Sequence, residues 1–471
     1  MPINSASTKA STVSGDQDAE QTLYAKHKKI YPRQVSGRFA RLRVLGVVTL
    51  LGIFYGVPLI RWEGHQAVLF DLPARKFYLF GMTLWPQDFI YLTGLLVIAG
   101  LLLFFITALA GRIWCGYACP QTVWTEAYIW MERKIEGNRS QQMKLDKAAW
   151  SFTKIRIKAT KHLVWILFSF WTGFTFVSYF TPIDILARGL YEFTTSPWEL
   201  FWILFYGFAT YGNAGWMREQ VCIYMCPYAR FQSAMFDADT LIVAYDENRG
   251  NPRGSRKRGA DKQTLGLGDC VDCNICVQVC PTGIDIREGL QIECIACSAC
   301  IDACDEVMDK VGYEPGLIGY TTENTREGNP AHILRPRVVI YALVLIAITS
   351  ALMFSMSERV ALQLDVIRDR NILFRETDEG LIENVYILKI INMDQYAHSY
   401  ALSVEGIPDL ILKTDASVID VKGGSVAELV VRLQAEEANL EARSSMIRFH
   451  LQATDQSQLS VVEDARFLGP K

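Results

Sequence analysis

Eight of the 12 cysteines fall within residues 270–304 and repeat one spacing pattern. The pattern is Cys-x-x-Cys-x-x-Cys-x-x-x-Cys, and its two copies are Cys270, Cys273, Cys276 and Cys280, then Cys294, Cys297, Cys300 and Cys304. Three cysteines at this spacing can wrap one 4Fe-4S cubane, whereas the fourth ligates the other cluster. The spacing therefore predicts two clusters, one held by Cys270, Cys273, Cys276 and Cys304 and one held by Cys280, Cys294, Cys297 and Cys300.

This pattern resembles that of bacterial two-cluster ferredoxins, and the resemblance covers residues 262–310. One departure is that Asp305 follows Cys304 where Pro281 follows Cys280, which changes the local turn but removes no ligand. Two structural zinc sites would also use four thiolates each, but zinc ribbons usually separate two Cys-x-x-Cys pairs by a longer stretch. Iron-sulfur clusters are the favoured interpretation, and they predict transfer of one electron at a time.

The other four cysteines form two matching Cys-x-x-x-Cys-Pro motifs. Cys115 and Cys119 lie in GRIWCGYACPQTVW, and Cys222 and Cys226 lie in REQVCIYMCPYARF. A spacing of four would put both sulfurs of a pair on one face of a helix. Since each motif follows an apolar segment in the same way, the repeat predicts that the two pairs meet at the cytoplasmic surface of a membrane.

Three interpretations of these four thiols compete. Free cysteines are among the most buried residue types, so they could be apolar core residues. Structural disulfides are disfavoured in a reducing cytoplasm. A soft-metal or redox site is the preferred interpretation, because thiolates select copper(I) and related ions and because two matching pairs occur at equivalent places.

The elements expected to position these cysteines are membrane-spanning helices. Half of the 471 residues are hydrophobic, and the mean hydropathy is +0.14. The apolar residues concentrate in five segments, namely residues 44–60, 89–110, 162–180, 198–212 and 338–356. A hydrocarbon core of about 30 Å needs roughly 20 apolar residues in a helix. The fourth segment is short and rich in aromatic residues, so a buried core helix is the alternative for it.

The distribution of lysine and arginine predicts how these segments are oriented. Basic residues are frequent before the first segment and between the second and third. Between the third and fourth segments, Arg188 is the only basic residue. The positive-inside rule therefore places the N-terminus, both basic connections and the clusters in the cytoplasm. With five spans, the chain after Met356 lies outside, as in a multi-pass protein of a bacterial inner membrane. No cleavable signal peptide is expected at the start of the chain.

The C-terminal part consists of short alternating runs, such as VALQLDVI and SVAELVVRL, separated by turn-forming pieces such as EGIPD and VKGGS. Such runs predict an immunoglobulin-like β-sandwich, whose expected role is contact with another protein. The first 22 residues are polar and predict disorder. The predicted units are an N-terminal segment (1–43), a four-helix membrane region (44–234), a ferredoxin-like domain (235–336), a fifth membrane helix (337–356) and a periplasmic β domain (357–471).

Several functions are disfavoured by what the sequence contains. A formal net charge of −3 argues against a nucleic-acid partner. Among six histidines only His162 could lie within a span, so a membrane haem held by two histidines has no obvious ligand set. No G-x-G-x-x-G loop opens a helix for a dinucleotide. The electron donor is therefore expected to be another protein, or a quinol whose binding the sequence does not reveal.

The chain combines five predicted spans, the segments WCGYACPQTVW and REQVCIYMCPYARFQ, the DADTLIVAYDENRG segment that follows the second, the two cluster motifs and a C-terminal β domain. This combination resembles the CcoG family, also called FixG or RdxA. The resemblance covers nearly the whole chain. It implies a role in assembling the cbb-type cytochrome c oxidase, by reduction of copper(II) to copper(I). It also implies that Cys115, Cys119, Cys222 and Cys226 are the copper-handling residues, and that the oxidase assembly machinery or copper chaperones are partners.

Three functional hypotheses are compatible with the sequence. The first is a copper(II) reductase that serves oxidase assembly, which matches a one-electron relay ending at thiols. The second is a quinol-linked electron conduit to a periplasmic partner. The third is a non-redox scaffold whose β domain docks onto the oxidase while the clusters are only structural.

Overall fold

The computed structural model describes residues 29–62, 64–256, 264–369, 372–414, 418–440 and 442–470. The expected disorder of the first 22 residues lies outside these ranges. The helices are α1 (Arg38–Gly56), α2 (Phe89–Ala110), α3 (Ile113–Tyr117), α4 (Pro120–Glu136), α5 (Arg139–Lys147), α6 (Phe152–Val177), α7 (Ile183–Glu192), α8 (Pro197–Thr210), α9 (Pro227–Ala234), α10 (Glu247–Gly250), α11 (Ile275–Val279), α12 (Ala299–Val311), α13 (Glu323–Arg326) and α14 (Pro336–Ser357).

The strands fall into small hairpins and one larger β domain. They are β1 (Arg61–Trp62), β2 (His65–Gln66), β3 (Val68–Asp71), β4 (Lys76–Leu79), β5 (Met82–Leu84), β6 (Ile242–Tyr245), β7 (Ile318–Thr321), β8 (Leu362–Arg368), β9 (Arg375–Glu376), β10 (Leu381–Asn392), β11 (His398–Glu405), β12 (Ile411–Thr414), β13 (Val418–Val421), β14 (Val426–Glu436), β15 (Ser444–Ala453) and β16 (Ser460–Leu468).

Three helical segments among the described residues are long and apolar enough to cross a membrane. They are Arg38–Leu59, Pro86–Ala110 and Pro336–Ser357. Their side chains are largely exposed, as expected for a surface that contacts lipid. The helices α2 and α14 lie side by side, because the Tyr91 hydroxyl donates to the Ser355 carbonyl at 3.2 Å. The structure thus contains the first, second and fifth predicted segments as apolar helices.

The third and fourth predicted segments do not meet this criterion, so the prediction of five such helices is correct for three of them. The third segment belongs to α6, whose first turns carry Lys154, Arg156, Lys158 and Lys161. The fourth forms α8, which has 14 residues and then widens into a π-helical stretch, Tyr211–Met217. The two helices pack closely, since a Cβ on Gly173 would collide with the Ile203 carbonyl oxygen.

The cysteine-rich unit is closed by one pair of strands. β6 pairs antiparallel with β7, and Ile242 lies opposite Thr321. All four residues of β6 are buried, and Tyr245, Met308 and Ile318 form part of the core beneath the cysteine loops. Residues on either side of the two cluster motifs are therefore brought together, which makes the unit compact.

This cysteine-rich unit is held against the start of α1 by one carboxylate. Asp302 Oδ1 accepts the backbone N–H of Phe39 at 3.1 Å, and its Oδ2 accepts that of Ala40 at 2.7 Å. Gly37, the residue just before α1, has no side chain that could cap the helix. Since the first N–H groups of a helix need acceptors and attract negative charge, Asp302 serves as the N-cap from another part of the chain.

The C-terminal unit is a β-sandwich, as predicted. One sheet has the strand order β12-β14-β10-β8 with β9 beside β10, and the other has β13-β11-β15-β16. Both sheets contribute to a single core that contains fully buried Tyr386, Tyr400, Phe449 and Phe467. Period-two alternation in β14 and β15 explains this arrangement, because alternate side chains of a strand point to the same face.

Two polar contacts stand out in and beside the β-sandwich. Arg359 donates to Asp88 at 2.7 and 3.0 Å, which ties the end of α14 to the start of α2. Within the sandwich, the buried ring of His398 lies between Asp455, at 2.7 Å from Nδ1, and Asp394, at 3.1 Å from Nε2. Burial lowers the pKa of His398, but the hydrogen bonds with the two carboxylates outweigh it, so the pKa is raised.

Candidate functional site

The eight ferredoxin-type cysteines line two separate cavities. The first cavity is lined by Cys270, Cys273, Cys276 and Cys304. The second is lined by Cys280, Cys294, Cys297 and Cys300, with Cys276 also at its wall. The two groups of four match the ligand sets that the spacing predicts, and the fourth cysteine of each copy lies with the other copy. The shared position of Cys276 indicates that the two cavities are neighbours.

The backbone of both motifs bends in the same unusual way. Asp272 and Asn274, on either side of Cys273, have φ values of 50° and 56°. Ala296 and Ser298, on either side of Cys297, have φ values of 51° and 60°. Residues other than glycine seldom adopt this left-handed conformation, and alternating turns of this kind point successive N–H groups into a concavity. The loops therefore fit an anionic cluster with thiolate ligands.

The two motifs differ after their last cysteine. In the first motif α11 ends at Val279, before Cys280 and Pro281, whereas in the second α12 continues through Cys304 to Val311. Proline restricts the residue before it and lacks an N–H group, so the first motif cannot continue its helix. The Asp305 carboxylate instead accepts the Gly316 N–H at 2.8 Å. The change of local turn that Asp305 predicts after Cys304 is therefore observed as a continuation of α12.

The other two cysteine pairs lie at helix junctions. Cys115 belongs to α3 and Cys119 is the N-cap of α4, while Cys222 lies in the π-helical turn Val221–Met225 and Cys226 is the N-cap of α9. The expectation that each pair shares one helix face is wrong. Cys119 and Cys226 have extended backbones, because each precedes a proline that starts the next helix.

The four thiols form one electrostatically connected group. Cys115 interacts with Cys119 and Cys222, and Cys119 and Cys222 each interact with Cys226. Burial raises the pKa of Cys115 and that of Cys222 to about 12, against the opposing effect of the Arg112 guanidinium. These two thiols are therefore protonated at neutral pH, and a metal that binds them as thiolates must displace protons.

The junction that carries Cys115 lies directly against the second cluster motif. A Cβ on Gly116 would lie 2.8 Å from the Cα of Cys297 and 2.8 Å from the Ile295 carbonyl oxygen. Arg112 donates to the Ile292 carbonyl, two residues before that motif, and to the Ala229 carbonyl on α9. One guanidinium thus joins the two thiol segments to the cluster loop, which brings both kinds of cysteine together.

A network of buried charges fixes the elements that carry the thiols. Glu132 of α4 binds Arg218 at 2.7 Å, four residues before Cys222, and Lys161 of α6 at 3.5 Å. Glu136 binds Lys161 at 2.9 Å. Burial raises the pKa of Glu132, but Arg218 and the lysines outweigh it and lower the pKa to about 2. The carboxylate is ionised at neutral pH and holds α4 against both partners.

Sequence reasoning missed the groups around the thiols. Gln232, which is fully buried, accepts a hydrogen bond from the Cys115 thiol at 3.2 Å. Arg112 and Gly116 flank Cys115 in the GRIWCGYAC segment, so their nearness to a cysteine pair was the available signal. Gln232 lies six residues after Cys226, and only the bend of the chain at Pro227 brings it to Cys115.

No three His, Cys, Asp or Glu side chains in the described part of the chain are grouped closely enough to hold one metal ion. This holds for the eight ferredoxin-type cysteines too, where a four-iron core would stand between the sulfurs and keep them apart. The four cysteines of the Cys-x-x-x-Cys-Pro motifs are included in this result.

Comparison with known protein families identifies the domains. Residues 217–323 match the model of a 4Fe-4S dicluster domain, and residues 92–138 match a 4Fe-4S binding domain. Residues 352–470 match the family described as an IG-like fold at the C-terminal of FixG. Iron-sulfur clusters and an immunoglobulin-like C-terminal domain, both predicted from the sequence, are thus confirmed.

Two curated proteins are similar over most of their length. The nitrogen fixation protein FixG of Rhizobium meliloti is 41% identical over 423 residues, which cover 82% of this chain and 81% of that protein. Protein RdxA of Cereibacter sphaeroides is 41% identical over 428 residues, 88% of this chain and 90% of that protein. A solved structure, the crystal structure of a FixG-related protein from Vibrio parahaemolyticus, is 32% identical in sequence. The match covers 24% of this chain and 98% of the Vibrio chain, with a TM-score of 0.22. The chain belongs to the FixG/RdxA family of iron-sulfur electron-transfer proteins.

Proposed function

We propose that this protein transfers single electrons from its two clusters to copper(II) and releases copper(I) for assembly of the cbb-type oxidase. The observation that carries the proposal is the contact of Gly116 with the backbone of Cys297. It makes the path from the second cluster motif to the Cys115 thiol short. In the step, one electron leaves a reduced 4Fe-4S centre and copper(II) becomes copper(I), so no bond needs to form or break.

The residues of the chain supply the other requirements of this reaction. Copper(I) is a soft ion that prefers thiolates, which favours its capture by Cys115, Cys119, Cys222 and Cys226. Since the Cys115 and Cys222 thiols are protonated when free, copper binding releases protons and strengthens as the pH rises. The Arg112 guanidinium lies beside both thiols and favours the thiolate that copper requires.

The proposal includes a membrane topology. We infer five spans, with the clusters in the cytoplasm and the β domain in the periplasm, where it would contact the oxidase assembly machinery or a copper chaperone. Exposed apolar side chains on α6 and α8 support spans there, including Leu163 and Leu167 on α6 and Leu204 and Phe208 on α8. The π-helical continuation of α8 brings it near the roughly 20 residues that a bilayer requires.

Copper(II) reduction by the purified full-length protein tests this function. The protein is reduced with dithionite, desalted without oxygen and mixed with copper(II) and a colorimetric copper(I) chelator. Cys115→Ser and Cys222→Ser are expected to abolish most copper(I) formation while the iron content stays unchanged. Tyr224→Ser, at an exposed position in the same turn as Cys222, is the control and should keep the activity. Equal rates in all variants would exclude the thiols as the copper site.

A third 4Fe-4S cluster is a second candidate for the four thiols. The observation that favours it is the match of residues 92–138 to a 4Fe-4S binding domain, because this range includes Cys115 and Cys119. Iron analysis separates the two candidates, because two clusters contain about eight iron atoms per chain and three contain about 12. In the second case, Cys115→Ser would lower the iron content by about a third.

A further inference from the structure

We propose that an apolar cleft beside Cys294 binds the ring of a membrane quinol, which supplies the electrons for the clusters. The inference rests on the proposed electron-transfer function and adds the donor. The cleft has a volume of about 420 Å³, within the range of small-molecule sites. Its walls include Phe236, Leu241, Leu290 and Ile292.

The cleft lies where two of the apolar helices end. The Leu241 N–H donates to the carbonyl of Leu109 in the last turn of α2 at 3.1 Å. Arg335, the residue before α14, donates to the carbonyl of Ala108. The two helices therefore meet beneath the cleft, at the level where a membrane would give way to water. A lipid-soluble ligand could reach this position without leaving the bilayer.

Two exposed apolar side chains lie at the rim of the cleft. Leu290 is 52% exposed and Ile292 is 59% exposed, and both belong to the connection between the two cluster motifs. Contiguous exposed apolar side chains mark sites for a ligand or a membrane. Their location beside the ends of α2 and α14 favours a ligand that arrives from the membrane side.

The cleft also shares a wall with the second cluster cavity. Val243 and Cys294 line both spaces. A ring bound in the cleft would thus be separated from the second cluster motif by little more than these two side chains. This closeness is what a one-electron donor requires.

Charge favours a small donor over a soluble protein. Arg112 is the only charged side chain among the described residues of the cleft, and it is 5% exposed and donates to the carbonyls of Ile292 and Ala229. Electron-transfer proteins find one another through complementary charged surfaces. The cleft offers apolar walls with the neutral carboxamide of Gln291, which suit a quinol ring better.

The reaction balances without a further reactant. One quinol loses two electrons and two protons and becomes a quinone. Each of the two 4Fe-4S centres gains one of the electrons, and the protons pass to solvent. Two copper(II) ions can then be reduced for each quinol oxidised.

The experiment measures cluster reduction and quinone binding separately from copper chemistry. Full-length protein in nanodiscs is mixed without oxygen with decylubiquinol or menadiol, and reduced clusters are quantified by electron paramagnetic resonance. Leu290→Asp is expected to slow reduction about tenfold, because a carboxylate resists an apolar contact. Ala234→Trp, which fills the cleft from an exposed position, should do the same and should also weaken binding of decylubiquinone.

The control is Leu265→Asp, since Leu265 is also 52% exposed on the cysteine-rich unit but does not line the cleft. It should match the unmodified protein. Dithionite must reduce the clusters equally in all variants. If neither quinol reduces clusters that dithionite reduces, or if both cleft variants match Leu265→Asp, the quinol site is refuted. Copper(II) reduction after dithionite treatment would still proceed in that case, so failure of the donor site and failure of the proposed function are distinguishable.

Discussion

Gly116 provides the sharpest test of the contact between the thiol segment and the second cluster motif. In Gly116→Ala the new Cβ would lie 2.8 Å from both the Cys297 Cα and the Ile295 carbonyl oxygen. It must retreat by at least about 0.6 Å to reach the 3.4 Å at which ordinary contact begins. Both neighbours are backbone atoms, so no flexible side chain can absorb the change, and α3 must shift away from the cluster loop.

Overpacking of this kind costs about 1–3 kcal/mol. For a cooperatively folding unit of about 150–250 residues, that cost corresponds to a fall in Tm of roughly 2–12 °C. We also expect copper(II) reduction by the dithionite-reduced protein to slow, because α3 and the Cys115 thiol move away from the cluster loop from which the electron comes. The iron content should not change, since no ligand is altered.

The matched control is Gly52→Ala in α1, where the added Cβ meets no atom within 4 Å. That variant should be as stable as the unmodified protein or more stable by about 0.5–1 kcal/mol, because alanine is the better helix former. The assays are scanning calorimetry and the chelator-based copper(I) measurement on both variants. Equal Tm values and equal rates for Gly116→Ala and Gly52→Ala would refute the argument that this contact is tight and that electrons cross it.

One further prediction concerns the ion pair that joins α14 to α2, and another concerns the β-sandwich. Arg359→Ala takes the cation away from the buried Asp88 carboxylate, which keeps the Trp85 N–H as a donor, so we expect a loss of about 3–5 kcal/mol and faster proteolysis after α14. Lys389→Ala, which removes an exposed ion pair, should change stability by less than about 1 kcal/mol. Because the folded-state pKa of His398 is raised, its contribution to stability is complete below the unfolded pKa of about 6.5 and is lost as the pH rises through the folded value. The melting temperature of the sandwich should therefore fall over that range in the unmodified protein and fall less in His398→Asn; parallel curves would contradict the role of the two aspartates.

The parts of the fold that follow from local periodicity could be predicted from the sequence. Alternation in the C-terminal quarter of the chain predicts the observed β-sandwich, and long apolar runs predict the three observed helices of membrane length. The third and fourth segments do not form apolar helices of that length, because basic residues occupy the first turns of α6 and because α8 has 14 residues before a π-helical stretch. Hydropathy alone does not detect where a helix starts or changes its winding.

The site was predictable only where ligand spacing is itself the signal. The fixed intervals of the eight ferredoxin-type cysteines led to two groups of four that line two cavities. The prediction that Cys115 and Cys119 share one helix face is wrong, because Pro120 forces Cys119 into an extended backbone and starts a new helix. Gln232 and the cleft beside Cys294 depend on residues more than 100 positions apart, which no local pattern reveals.

The N-cap that Asp302 provides for α1 links the order of synthesis to the anchoring of the first apolar helix. The capped N–H groups of Phe39 and Ala40 precede the carboxylate by 263 and 262 residues. At about 5–20 residues per second, the ribosome needs roughly 13–53 s to cover that interval. During this time the first N–H groups of α1 lack the Asp302 carboxylate as their acceptor, because Asp302 is synthesised between Cys300 and Cys304. The first helix therefore gains this cap only after most of the second cluster motif has been made, so the cap couples the start of α1 to a late stage of synthesis.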